Sequence, residues 1–389
     1  MEKIISPKVQ AALDKLDSKF GIEVIDWLAG LYDKESGGFY YAESSRDNAQ
    51  FEPDIESLVQ AILLLDRMGL ITRDENRKFI TSQAFKDASI KFLSERQCEE
   101  DGYFYDPVYR ETANMAKKDR NTSFASWIFS GFGVKPPYAL PGERLKKKTE
   151  APKEEKKADG AVEERFSSEE NFIKWLEEIS VPTRSSYSWG SDLASASDYI
   201  IASGMRPTLV KWLKEKQCPE TGMWQKEATA NGINGVLKLC GFFCKDTEPF
   251  PNADAFLKNA VEISKTFNPR SGSEAWNPLG AMVQIIKSLG DNMTSELQEL
   301  IDNSIADIIS NISDKVEIFR MPDGGYGYLA SGSSHISNDV VVSLGAKEGD
   351  VNGMSLIALI YQDAYALAGL KHPRLWEKHN EYFFKKIGF

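Results

Sequence analysis

A chain of 389 residues with 42% hydrophobic and 27% charged residues is long enough for one large globular domain or two ordinary ones. Its net charge of -11 excludes a non-specific nucleic-acid binder. No run of residues is apolar enough for a secretory leader or a bilayer span, so a cytoplasmic protein with no membrane span is expected.

The first informative phrase is Gly37-Gly38-Phe39-Tyr40-Tyr41, which follows Trp27-Leu28 and runs through Arg46 and Asp47 to Pro53-Asp54-Ile55-Glu56-Ser57-Leu58. A glycine–aromatic turn thus leads through a polar loop to an Asp that opens an apolar helix, Leu58 to Leu65. A second form follows: Phe92-Leu93 with Gln97-Cys98, then Gly102-Tyr103-Phe104, a polar loop with Arg120 and Asn121, and the apolar run Thr122 to Phe129. Residues 141–170 then break the pattern. Arg144-Leu145-Lys146-Lys147-Lys148 and Lys153-Glu154-Glu155-Lys156-Lys157 carry almost no apolar content, so a solvated linker or insertion is expected between residues 1–140 and 171–389.

Beyond it the unit returns. Trp212-Leu213 with Gln217-Cys218 precedes Gly222-Met223-Trp224 and the helix Gly232 to Cys240, and a weaker copy runs from Asn268 to Gly272 before Trp276. The last copy repeats the first: Gly324-Gly325-Tyr326-Gly327-Tyr328, a loop with His335 and Asp339, then Asp350-Val351-Asn352-Gly353 and an Ala/Leu/Ile-rich helix from Leu356 to Leu370. Strand-like alternation is scarce, with Val340-Val341-Val342 the main short candidate. The expected fold is all-α, a barrel of helical hairpins with glycine–aromatic turns and at most short β pieces in loops. Because the last unit matches the first, a ring whose ends adjoin is expected over an open stack, since closure removes exposed ends.

On these turns the chain resembles the α/α toroids: terpenoid cyclases and protein prenyltransferases on one side, polysaccharide lyases and glycosidases on the other. The resemblance implies the toroid for both halves of the chain. It does not bring the terpenoid chemistry with it, because Glu56 and Ser57 stand where a class II cyclase would place two acidic residues of its Asp-x-Asp-Asp motif. No Asp-Asp-x-x-Asp motif and no zinc set is present, and the four cysteines read as thiols in a reducing compartment, so no metal or cofactor is expected.

In a toroid the helix starts Asp54, Asn121, Asn231, Asn277 and Asp350 would gather at one mouth, where their partial positive ends favour a polar or anionic ligand. Each also reads simply as an N-cap. Asp54, Glu56, His335 and Asp350 are the candidates for proton transfer, since carboxylates in unlike environments can divide acid and base roles. Tyr40, Tyr41, Arg46, Asp47, Arg120, Trp189, Tyr326, Asp339 and Asn352 are candidates for holding substrate, with Arg as an anion fork and Trp189 as a stacking platform. Trp224 and Trp276 read as staples of their own turns. The leading expectation is a carbohydrate-active enzyme, lyase or hydrolase, acting on an oligosaccharide that could be acidic. An isoprenoid-handling enzyme and a non-catalytic binding scaffold are the alternatives.

Overall fold

The computed structural model describes residues 5–110, 114–144, 164–243 and 248–389. Among these, six helices pack pairwise into a closed ring: α4 (Ile55–Met68), α6 (Met115–Gly131), α8 (Ser186–Ser195), α11 (Ala230–Leu239), α13 (Gly272–Leu289) and α15 (Val351–Leu367), with α15 returning to α4. Each is preceded in the chain by a helix that buries one stripe: α2 (Ile22–Gly30), α5 (Gln83–Ser94), α7 (Glu169–Ile179), α10 (Arg206–Lys216), α12 (Ala253–Thr266) and α14 (Ser295–Lys315). Helix α1 (Pro7–Asp17) packs on α14 and α15, while α3 (Glu43–Arg46), α9 (Ser197–Ala202) and α16 (Asn380–Lys386) are short additions. The architecture is an α/α toroid. Ring helices differ from the rest in burial: α4 and α15 are hidden on nearly all sides, the signature of a helix walled in by neighbours.

The strands are short antiparallel pairs at loops, as expected. Tyr32–Asp33 pairs with Gly38–Phe39, Thr72–Arg73 with Phe79–Ile80, and Ile336–Ser337 with Val340–Val341. In the last, Asn338 and Asp339 both take positive φ, at 48° and 65°, the geometry of a tight hairpin turn.

The Gln-Cys repeat has a clear structural cause. In both copies the glutamine amide donates to the glycine carbonyl five residues on, Gln97 to Gly102 at 3.1 Å and Gln217 to Gly222 at 2.9 Å. Both glycines are left-handed, at φ 80° and 66°. A Cβ on Gly102 would sit 2.3 Å from the Ala139 carbonyl oxygen, and one on Gly222 2.6 Å from the Phe256 nitrogen, so only glycine fits. The neighbouring thiols, Cys98 and Cys218, are free and donate to Glu100 and Glu220.

The seam brings the two matching phrases together. Val351 N donates to the Tyr41 carbonyl at 3.0 Å, Ala42 bridges Asp350, and Ser44 donates through both N and Oγ to Glu348.

Three expected helix starts are displaced. Asn121, Asn231 and Asn277 lie inside α6, α11 and α13, whose caps are Asn114, Thr229 and Ser271. The opening turns of these helices are polar, so the apolar run begins about a turn after the helix does. Most of the expected linker, residues 145–163, lies outside the described residues, as does Cys244. Its far end is packed rather than solvated: Phe166 is buried against Phe172 and Tyr199.

Candidate functional site

The ring helices surround a cavity of about 450 Å³ to which all six contribute, α4, α13 and α15 from their N-terminal turns and α11 from its C-terminal end. Its lining follows helical spacing: Glu56, Gln60 and Leu63 from α4, Ser273, Trp276 and Asn277 from α13, and Asn352, Leu356 and Leu359 from α15. Arg120 and Phe124 come from α6, Tyr187 from α8 and Lys238 from α11. Tyr41, Tyr328 and the hairpin residues Ile336, Ser337 and Asn338 close the rim.

Glu56 organises this space. One carboxylate oxygen accepts from Arg120 Nε and Nη2 at 3.1 and 2.6 Å; the other accepts from Lys117 Nζ at 3.0 Å. Ser337 Oγ and Asn338 Nδ2 reach the same second oxygen at 3.4 and 3.3 Å, so the hairpin is clasped to α4 through this one side chain. Burial alone would favour the protonated acid, but Arg120 and Lys117 together outweigh it and hold the carboxyl well below the usual range. Glu56 is therefore a fixed anion, and a group that keeps its charge at every working pH is poorly suited to giving or taking a proton.

Asp54 and Asp350 lie one layer behind the lining. Both are caps: Asp54 accepts from Ser57 N and Oγ at 2.8 and 2.7 Å, and Asp350 from Gly353 N at 2.7 Å. Asp350 also accepts from Tyr328 N and Ser334 N, tying the last loop to its helix. Burial pushes the Asp350 carboxyl up to about 7 against these hydrogen bonds. Asp54 is also raised, first by burial and then by Asp106. Asp106 accepts from Ile55 N at 2.9 Å and from Asn121 Nδ2 at 3.1 Å, so the chain after α5 helps cap α4.

The expected proton-transfer set does not converge as a unit. Glu56 faces the cavity, the two Asp residues stand behind it, and His335 is exposed on the outer side of the loop with Nδ1 against the Ser343 carbonyl at 2.6 Å. Among the expected substrate contacts, Tyr41, Arg120 and Asn352 line the cavity. Tyr40 is half-buried and outside the lining. Arg46 pairs with the neighbouring Asp47 and the Gly30 carbonyl. Tyr326 is buried with its hydroxyl accepting from Arg320, and Asp339 accepts from Asn114 at the hairpin tip. Trp189 is 5% exposed and edge-on to Trp212 and Trp224, a core position that closes it as a platform for this cavity. Trp276, expected as a staple, lines the cavity, its ring oriented by Nε1 donating to Asp363 at 2.8 Å.

Lys117, Lys238, Tyr187, Tyr328 and Gln60 escaped the sequence reading. Their signal was there: Gln60 interrupts Leu58-Val59-Ala61-Ile62, and Lys238 interrupts Val236-Leu237-Leu239. A polar residue inside an all-round apolar helix has to face something polar. The Asn277 Nδ2 is buried with no well-formed hydrogen bond among the described residues, while the Tyr41 hydroxyl is buried against the Asp350 carboxyl. Burial, and then the Asp350 charge beside it, raise the Tyr41 hydroxyl far above its usual range, so it stays protonated.

No family model matches the chain, and no curated protein matches it in sequence. Among solved structures it is similar to the glycoside hydrolase family 15 glucoamylase from Hypocrea jecorina, at 10% identity and a TM-score of 0.47, over 94% of this chain and 74% of that one. Identity that low and a superposition that loose carry neither substrate nor reaction from one chain to the other. No helix among the described residues is long and apolar enough to cross a membrane.

Proposed function

We propose that the ring mouth is the substrate site of a carbohydrate-active enzyme. The observation that carries this reading is the lining itself. Aromatic rings from Trp276, Tyr187 and Phe124 share one cavity with hydroxyls and amides from Ser191, Ser273, Asn277, Asn352 and Gln60. A sugar ring offers apolar C–H faces for the first group and hydroxyls for the second. The Asn277 amide nitrogen, buried without a well-formed hydrogen bond among the described residues, supports a ligand, because buried polar groups are ordinarily satisfied. An isoprenoid would leave this polar set unpaired at a cost in binding.

A two-carboxylate hydrolysis is the chemistry least favoured by the lining. A hydrolase working through two carboxylates needs both beside the scissile bond, one protonated. Among the described lining residues Glu56 is the single carboxylate, and it is committed to two cations. Tyr41, held protonated with Asp350 behind it, keeps its proton as Glu56 keeps its charge, so neither is read as the group that transfers one. The test is a panel of neutral and acidic oligosaccharides, with binding followed by calorimetry and cleavage by new reducing ends and by the ultraviolet absorbance of a new double bond. Binding of isoprenoid diphosphates with no saccharide binding would overturn the reading.

A further inference from the structure

The two cations that line the mouth are not equivalent. Arg120 spends Nε and Nη2 on Glu56 and lies 4.4 Å over the Phe124 ring. Lys238 has no hydrogen-bond acceptor and no ion-pair partner among the described residues, and its ammonium hangs 5.3 Å from the Tyr187 ring centroid. Its position is built rather than incidental. A Cβ on Gly190 of α8 would come 3.0 Å from the Lys238 Cβ, so the glycine lets the two helices close at this level and leaves the cavity as the room for the lysine side chain.

Lys238 is half-buried, and a lysine ammonium held partly out of water with no ion-pair partner in contact carries a desolvation cost. The cost shows in the group itself: burial first, then Arg120, push the Lys238 amine down to about 8, with Glu56 opposing. Gln60 and Asn352 offer amide donors and acceptors alike, but two further donors of the lining stand without an acceptor among the described residues. Asn277 Nδ2 has no acceptor, and Arg120 Nη1 donates to none among the described residues. A cavity with spare donors, one of them a cation, is completed by a ligand that brings acceptors and negative charge.

We infer that Lys238 receives an anionic group of the bound saccharide, a carboxylate or a sulfate, and that the substrates are acidic sugar chains. The sugar half of this rests on the function proposed above; the anion half rests on Lys238 alone. Arg120 and Lys117 neutralise Glu56, so the charge that Lys238 offers is left for the ligand.

The experiment compares wild-type protein with Lys238→Met and Lys238→Arg. Calorimetry is run with a galacturonate trisaccharide, its carboxyl-reduced counterpart and a sulfated galactose trisaccharide. In parallel, acylation of Lys238 by acetic anhydride is read by peptide mass with and without inorganic sulfate. One acidic trisaccharide should bind on the order of tenfold to a hundredfold more tightly than the neutral one, the range of a charge-assisted hydrogen bond. Which one does so identifies carboxylate or sulfate. Lys238→Met should remove that preference, Lys238→Arg should keep most of it, and both should melt within a few degrees of wild type. Equal binding of acidic and neutral sugars, unchanged in Lys238→Met, overturns the inference and leaves the saccharide reading standing. Shielding of Lys238 by sulfate with no trisaccharide bound keeps the anion site and overturns the saccharide reading. No sugar binding and no shielding overturns both.

Discussion

Helices α4 and α15 begin in the same way and continue differently. Each opens on a buried Asp in extended conformation that accepts from the backbone N–H three residues on. Two residues past the cap, α4 carries Glu56 and α15 carries Asn352, and both line the mouth. Six past it, the pair is Gln60 and Leu356. The shared positions hold helix ends and the seam. The positions that differ give the cavity its charge and its polarity. In a ring of repeated hairpins, departures from the repeat are therefore where chemistry is to be sought, because the repeat itself is already accounted for by capping and packing.

That comparison can be broken most easily at Glu56. Glu56→Gln leaves Lys117, whose side chain is 1% exposed, without its ion-pair partner, and should cost on the order of 3 kcal/mol or more in urea unfolding. Adding Lys117→Met should restore much of the loss. A single variant as stable as wild type would mean that the carboxylate is not an anchor, and catalysis would again be the better account of it. The caps should come next and should differ. Asp350→Ala frees three backbone donors and should cost about 2 kcal/mol, while Asp54→Ala should cost about 1 kcal/mol because Asp106 still holds Ile55 N. The reverse order would undo the claim that the last loop hangs on its cap.

A smaller effect is set by pH. The Asp350 carboxyl titrates near 7 when folded against 3.8 for the free group, so between those values the folded chain holds a proton that the unfolded chain has released. Stability from this source is present at the acid end of the window, falls as the pH rises through it and levels off above about 7. Asp54 acts in the same direction. Glu56 acts oppositely but only below its ordinary value of 4.5, where stability is lost as the pH falls. Melting points taken from about pH 5 to 7.5 should therefore decline in wild type and decline less in Asp350→Asn. A wild-type profile that rises over that range would contradict the assignment. The smallest changes belong to Asn352→Ala and His335→Ala, each expected within about 0.5 kcal/mol of wild-type stability. His335→Ala should also leave ligand binding untouched, as its ring lies outside the lining.

Ring closure, the glycine turns and the caps Asp54 and Asp350 were legible because each is written in a few consecutive residues. A left-handed Gly102 or an Asp before an apolar helix carries its own local signal. Glu56 was singled out, but its role was not legible, since it depends on Lys117 and Arg120 some sixty residues on and on a hairpin near residue 337. Trp189 and Trp276 show the same limit. Both stand near helix starts in the chain, and only the rotation of each helix in the ring sends one ring into the core and the other into the mouth. Lys238 was missed for a related reason: a single lysine in an apolar run reads as a surface residue until the run is known to be walled in.

The seam also orders events during synthesis. The ring is closed by α4, near the start of the chain, meeting α15, which is made nearly three hundred residues later. Until residues 351–367 leave the ribosome, α4 keeps an apolar flank with no neighbour, and the mouth lacks its sixth wall. A nascent chain of this kind spends most of its elongation time as an open arc with sticky ends, the state in which chaperones and ill-matched neighbours compete for it. The proposed site is complete only when the last rung has docked, so capture of a ligand there would report completed assembly of the ring.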